Sequence, residues 1–237
     1  DGGGGFEPMD LPPETRHLDM MYAQITLTDK GWQPCWLNSR ARAQDVIEMT
    51  CIALGMTKDE LSNTPTISAG VNTNSPLLLD GELAEGLIVM AEMGQAIDIT
   101  PFTMAGAMSP VPLAGTLAQQ NAEVLAGFVL TQAIRRGCTC VYGHFSTNVD
   151  MKTGSPAFGT PEYTKTTLAS AQMARFYGVP FRSSNTTASS VADAQSAYES
   201  EMSLWGAIMG HTNLVLHAAG WLEGGLTASF EKLILDA

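Results

Sequence analysis

The sequence is short of charge, and of positive charge above all. Only 15% of its 237 residues are charged, and 12 Lys and Arg stand against 24 Asp and Glu, for a net charge of −12. Nucleic-acid phosphates require Lys and Arg, so the balance argues against that class of partner. It leaves room for a small cationic substrate, although acidity also serves solubility. Cysteine is scarce: Cys35, Cys51, Cys138 and Cys140 are scattered. With no secretory signal segment visible, a disulfide framework is not expected and the chain reads as cytoplasmic. Cys138 and Cys140, two apart in a strand, point to one face as core or wall thiols. The further ligands of a zinc site are missing. The most apolar helix, 113–134, is interrupted by Gln119, Gln120, Asn121 and Glu123, which counts against a membrane span. No G-x-G-x-x-G follows a strand, which disfavours a dinucleotide fold. G-x-S-x-G, H-E-x-x-H and the phosphate-binding loop are also absent, and no Ser–His–acid set declares itself.

What is present points to an α/β chain. Hydrophobic residues make up 45%, enough for the core of one larger α/β domain. Residues 1–20 are rich in Gly and Pro and read as an extended arm. Short β-branched runs then alternate with helical stretches. The strands fall near 33–37, 65–71, 96–101, 138–144, 179–184 and 213–218, with an extra extended segment near 22–28. Ser39 and Asp80 suit helix N-caps, and Gly55 and Gly94 suit helix ends. Thr160 precedes Pro161 and Glu162, a start signal, and Gly178 with Pro180 forms a stop. Ser190 with Asp193 has the spacing of a capping box. The helix that follows aligns Val191, Ala194, Tyr198, Met202, Trp205 and Met209 on one face. Six strand–helix units in a row imply parallel strands with right-handed crossovers. An open doubly wound sheet and a (β/α)8 barrel both satisfy that pattern. The chain starts at Asp1 and stops at Ala237 within a helical pattern, so a longer protein, truncated at both ends of the barrel region 21–237, is expected.

The segment NLVLHAAGWLEGGLTASF (213–230) is the most telling. A strand meets His217, a Gly-rich loop carries Trp221 and Glu223, and a helix opens near Thr227. Strands that end in ionisable residues before a Gly-rich turn are how α/β enzymes display reactive side chains. With TPFTMAGAMSPVPLAGTLAQQNAE (100–123) and GSPAFGTPEYTKTTLASAQMARFYGVPFRSS (154–184), this segment resembles the trimethylamine methyltransferase family over most of the chain. The resemblance implies a (β/α)8 TIM-type barrel, most of it present here. It also implies methyl transfer from a methylated amine to the Co(I) corrinoid of a partner protein. No cofactor would be tightly bound by this chain, and identical subunits would associate. Archaeal trimethylamine enzymes of the family use pyrrolysine. This sequence has standard residues only, which points toward relatives such as glycine betaine methyltransferases and toward a quaternary amine.

In a barrel, functional residues project from the carboxyl ends of the strands. That rule selects Asn72, Asn74, Thr100, Phe102, Tyr142, His144, Asn148, Arg182, Ser183, His217, Trp221 and Glu223. His144 and His217 are the catalytic candidates. Asn72, Asn74, Phe102, Tyr142, Arg182, Trp221 and Glu223 are the substrate-binding ones, and no metal ligands are assigned. Each has a plainer reading. Asn72 and Asn74 could simply form a turn. His144 could be a general base or donor, or a partly buried imidazole on a backbone carbonyl. Arg182 could clamp a substrate carboxylate or salt-bridge to Glu223.

Methyl transfer to cobalt fits a chain without a nucleophile motif. Co(I) attacks the methyl carbon and expels a neutral amine, so the protein need only bind the cation, aim it and exclude water. Phe102, Tyr142 or Trp221 could hold an ammonium by cation–π attraction. The rival readings are a barrel hydrolase or lyase with a His base, and a betaine-binding module without turnover.

Overall fold

The computed structural model describes residues 7–34 and 37–237. Three helices come first, α1 (Arg16–Leu27), α2 (Arg40–Leu54) and the short α3 (Lys58–Ser62). Strands and helices then alternate: β1 (Ser68–Thr73), α4 (Gly81–Glu92), β2 (Ala96–Pro101), β3 (Met104–Ala105), α5 (Leu113–Ile134), β4 (Cys140–Gly143), β5 (Thr147–Asn148), α6 (Pro161–Tyr177), β6 (Phe181–Ser184), α7 (Ala194–Met209), β7 (Leu214–Leu216), β8 (Trp221–Leu222), β9 (Thr227–Ala228) and α8 (Phe230–Asp236).

β1, β2, β4, β6 and β7 form one parallel five-stranded sheet in that order. Tyr142 pairs with Phe181 and Gly143 with Arg182, and Arg182, Ser183 and Ser184 pair with Leu214, Val215 and Leu216. Each principal strand lies beside the previous one, with a helix in every crossover. A doubly wound sheet would reverse its order at a switch point, and no reversal occurs among the described strands. Five strands in this order leave β1 and β7 as edges and do not close a ring. The strand expected near 33–37 is not seen: residues 33, 34 and 37 are irregular, and 35 and 36 lie outside the described residues. The extended segment expected near 22–28 is instead the end of α1. Of the expected arm, residues 1–6 lie outside the described residues and 16–20 are helical.

The chain divides into two compact units. The first takes the chain up to Asn72, Leu79–Ile99 and Ala126–Val141. Here the Ser39 hydroxyl accepts the Arg42 N–H at the start of α2, and Gly55 closes that helix at φ 65°. Asp80 caps α4 through the Glu82 N–H. His17 Nε2 lies 2.8 Å from Asp45 Oδ2, tying α1 to α2. A Cβ on Gly86 of α4 would sit 1.7 Å from the Leu37 carbonyl oxygen, so this approach requires glycine. Cys138 is buried and donates to Gln95 O, and Cys51, Cys138 and Cys140 are free thiols.

The second unit comprises Thr73–Leu78, Thr100–Leu125 and Tyr142–Ala237. Thr160 caps α6 with Pro161 in its first turn, and Gly178 ends it at φ 67°. The capping box on α7 is made by Asp193 and Ser196 rather than by Ser190 and Asp193. α6 and α7 pack through small groups. Ser196, Ser200, Ser203, Gly206 and Ala207 of α7 face inward, and a Cβ on Gly206 would meet Thr164 Cγ2 at 3.2 Å. The apolar face of α7 is therefore turned outward, leaving Tyr198, Trp205 and Met209 each more than half exposed. Among the described residues no helix is long and apolar enough to cross a membrane.

Candidate functional site

The side-chain alternation of a strand sorts the candidate residues onto two faces. Tyr142 and His144, two apart at the end of β4, both turn toward α5 and α6. The Tyr142 hydroxyl donates to Asn121 Oδ1 at 3.2 Å, and its ring stacks on Tyr177. His144 is fully buried. Its Nδ1 lies 3.1 Å from Gln120 Oε1 and 3.3 Å from Ser170 Oγ, and its Nε2 lies 3.1 Å from Thr167 Oγ1. The ring stacks on Tyr163 and Phe181. Burial, reinforced by the positive charge of Arg182, pushes the His144 pKa down to about 3. The imidazole is therefore neutral, with both nitrogens engaged by helix side chains. Burial likewise raises Tyr142 and Tyr163 to about 12, so both phenols stay protonated.

Phe145 and Arg182 point to the opposite face, where an aromatic cluster assembles. Phe145 lies 5.4 Å from Phe102, 4.7 Å from Phe158 and 5.2 Å from His217, measured between ring centroids. Trp221 meets His217 edge-on at 5.0 Å. The Arg182 guanidinium carbon stands 5.4 Å above the Phe145 ring, and its Nη1 donates to His144 O at 3.0 Å. Arg182 is 3% exposed. His217 has φ 54°, a left-handed conformation that turns its ring off the end of β7. Its Nδ1 lies 2.8 Å from Ser184 Oγ. Burial and then Arg182 push the His217 pKa down to about 3. At neutral pH the imidazole is uncharged, and the positive charge of the cluster belongs to Arg182.

Phe102, Arg182, His217 and Trp221 are thus brought together, with Phe145 at the centre. Asn74 is exposed in the turn after β1, closed by its N–H to Leu78 O. Asn72 is an exposed residue of β1 in the first unit. Glu223 is exposed in a 3-10 turn and accepts the Thr227 hydroxyl. Asn148 accepts the Thr160 hydroxyl beside the α6 N-cap. Asp150 takes the Lys152 N–H and closes a loop.

Sequence reasoning passed over Phe145, Phe158, Ser184 and Glu123. Phe145 carried a signal, since the residue after His144 must project to the other face. Glu123 carried none beyond its interruption of an apolar helix. Its carboxylate is 3% exposed and gathers the loop after β1. It accepts from the Thr73 hydroxyl at 2.5 Å, the Ser75 hydroxyl at 2.7 Å and the Leu77 N–H at 3.0 Å. Gln119 Nε2 completes the set at 3.1 Å. Glu199 does the same for the loop after β6, accepting the Ala188 and Ser189 N–H groups.

A parallel sheet that gathers aromatic faces and a buried guanidinium beyond its strand ends is the arrangement of α/β proteins that hold a small organic ligand there. Comparison with known proteins narrows the class. Residues 2–237 match the trimethylamine methyltransferase (MTTB) family, and the chain belongs to that family. It is 43% identical over 239 residues to a glycine betaine methyltransferase of Desulfitobacterium hafniense (strain Y51), covering 99% of this chain and 49% of that protein. It is 34% identical over 183 residues to the trimethylamine methyltransferase MttB of Methanosarcina thermophila, covering 77% and 38%. It is 33% identical over 178 residues to a proline betaine:corrinoid methyltransferase of Eubacterium limosum, covering 75% and 37%. The chain spans about half the length, or less, of these relatives.

Proposed function

We propose that the protein to which this chain belongs moves a methyl group from a betaine to the Co(I) corrinoid of a partner protein. In this reading the described sheet is the larger part of a (β/α)8 barrel, and the consecutive order of its five parallel strands supports that. The observation that carries the functional reading is the cluster of Phe102, Phe158 and His217 around Phe145, with Trp221 against His217 and buried Arg182 over the Phe145 ring.

Aromatic faces attract a quaternary ammonium, each by about 0.5–2 kcal/mol. Arg182 within the same cluster repels a bare cation and attracts a carboxylate. The pair therefore favours a zwitterion, with its carboxylate toward Arg182 and neutral His217 and its trimethylammonium toward the rings. A methylated amine without a carboxylate gains the aromatic attraction but offers the guanidinium no acceptor. Two of the relatives are named for betaine substrates, which supports this preference.

The residues present suit a corrinoid delivered from outside. The cluster offers rings and a guanidinium for an ammonium carboxylate, and loops after the strands expose the apolar side chains of Leu77, Val111 and Leu226. The corrinoid, when docked, supplies the nucleophilic cobalt that accepts the methyl group. The chain's own work is to orient the ammonium, to keep His217 neutral so that it does not compete with it, and to exclude water. Because a quaternary nitrogen leaves as a neutral amine, no side chain has to move a proton.

The test uses the full-length protein with reduced cobalamin and a panel of glycine betaine, proline betaine and trimethylamine. Formation of methylcobalamin from a betaine is expected. Reaction with trimethylamine alone would overturn the substrate, and no methylation from any amine, with the corrinoid protein present, would overturn the activity. A binding module without turnover would show betaine affinity and no methylation.

A further inference from the structure

We propose that the outward face of α7 joins two copies of this chain across a two-fold axis. The face is anomalous. An amphipathic surface helix shows polar residues to solvent, yet α7 keeps serines inside and presents apolar groups. Tyr198, Trp205 and Met209 are 58%, 55% and 58% exposed, with Ile208 beside them. Glu201 is the one charged residue exposed on the helix. Together these four apolar side chains show on the order of 500 Å² to water, at the top of the range for the largest patch of a monomer. With Ala194, Ala197, Met202 and the preceding Val191, the face approaches the ~800 Å² per partner of a standard interface. Trp and Tyr are also the residue types that anchor such interfaces.

The pattern names the occupant. Tyr198, Met202, Trp205 and Met209 stand at i, i+4, i+7 and i+11, a single stripe. Run antiparallel against itself about a two-fold between 203 and 204, the stripe places Tyr198 opposite Met209 and Met202 opposite Trp205. Every thioether then meets an aromatic ring, a favourable contact, and every contact occurs twice, as an isologous interface requires. Glu201 falls opposite Gly206, so the like charges of the two copies do not face each other. The other possible occupant is the remainder of the longer protein. The exposed area and the pairing of each thioether with an aromatic ring favour the second copy.

The experiment is mass measurement by analytical ultracentrifugation on the full-length protein. The parent is expected to contain an even number of subunits. Trp205→Glu should halve that mass and weaken association by on the order of a thousandfold, because the two-fold places the change in each dimer twice. Far-ultraviolet circular dichroism should be unchanged, since Trp205 is not part of the core. Met202→Lys should dissociate the protein likewise. Mixing the two variants should restore the dimer: the lysine introduced in one copy then faces the glutamate introduced in the other, while the second Met–Trp pair stays intact. A monomeric parent, a Trp205→Glu variant that keeps the parental mass, or dissociated variants that fail to recombine would each overturn the proposal. These readouts are independent of methyl transfer.

Discussion

Removing the Glu123 carboxylate should release the loop after β1. The side chain is buried and is held by neutral donors: two hydroxyls, one backbone N–H and the Gln119 amide. In Glu123→Ala the Thr73 hydroxyl, itself buried, and the Leu77 N–H lose a charged acceptor, and Ser75 keeps partial access to water. A hydrogen bond to a charged group contributes about 1.5–3 kcal/mol, and an orphaned buried donor costs about 1–3 kcal/mol. Because Ser75 and Gln119 can rebond to water, roughly 3 kcal/mol of lost stability is expected rather than the full sum. Glu123→Gln keeps one acceptor oxygen but turns an NH2 toward donors, and should cost about 1–2 kcal/mol. Urea unfolding measures both variants. Hydrogen exchange localises the effect: the Leu77 amide should lose protection in Glu123→Ala, while amides of β6 and β7 keep theirs. If Leu77 exchanges as in the parent, the carboxylate does not hold the loop and the reasoning fails.

Acid should destabilise the protein through His144 and His217, whose pKa values are about 3 when folded against about 6.5 when unfolded. Between those values the unfolded chain binds protons that the folded chain refuses. Stability therefore falls as pH drops below about 6.5, by up to ~1.4 kcal/mol per pH unit for each histidine. Urea midpoints at pH 7 and pH 5 should show a shallower dependence in His144→Gln, and an unchanged slope would refute the burial argument. Arg182→Met should weaken glycine betaine binding by about a hundredfold or more and leave trimethylamine binding undiminished, as read by calorimetry. Equal losses for both ligands would remove the carboxylate role. Glu223→Gln should change betaine affinity by less than ~1 kcal/mol, because Glu223 is exposed; a large loss would bring its loop into the site. Gly159→Ala should destabilise by about 2–4 kcal/mol, since its φ is 75° and a Cβ would lie 2.2 Å from Glu199 Cβ. Native-like unfolding of that variant would show that α7 can move aside.

The sequence by itself determined the alternation of strands and helices from residue 65 onward and the starts of α2, α4 and α6. It also carried the family, through three long motifs. Those signals are local or contiguous: Ser39, Asp80 and Thr160 bond N–H groups two or three residues away, and Gly55 and Gly178 end helices at their own φ. Tertiary structure decided which side each residue faces. His144 and Phe145 are adjacent in sequence, yet one is enclosed by Gln120, Thr167 and Ser170 and the other centres the aromatic cluster. Glu123 looked like an interruption of an apolar helix and became the anchor of a loop some fifty residues away in the chain. The apolar stripe of α7 was legible, but its direction was not. A period marks which residues share a face; close packing against Thr164 of α6 at Gly206, with Ser200 held by Lys232 of α8, admits only small side chains on the inner face, and that steric fit turned the larger ones to the surface.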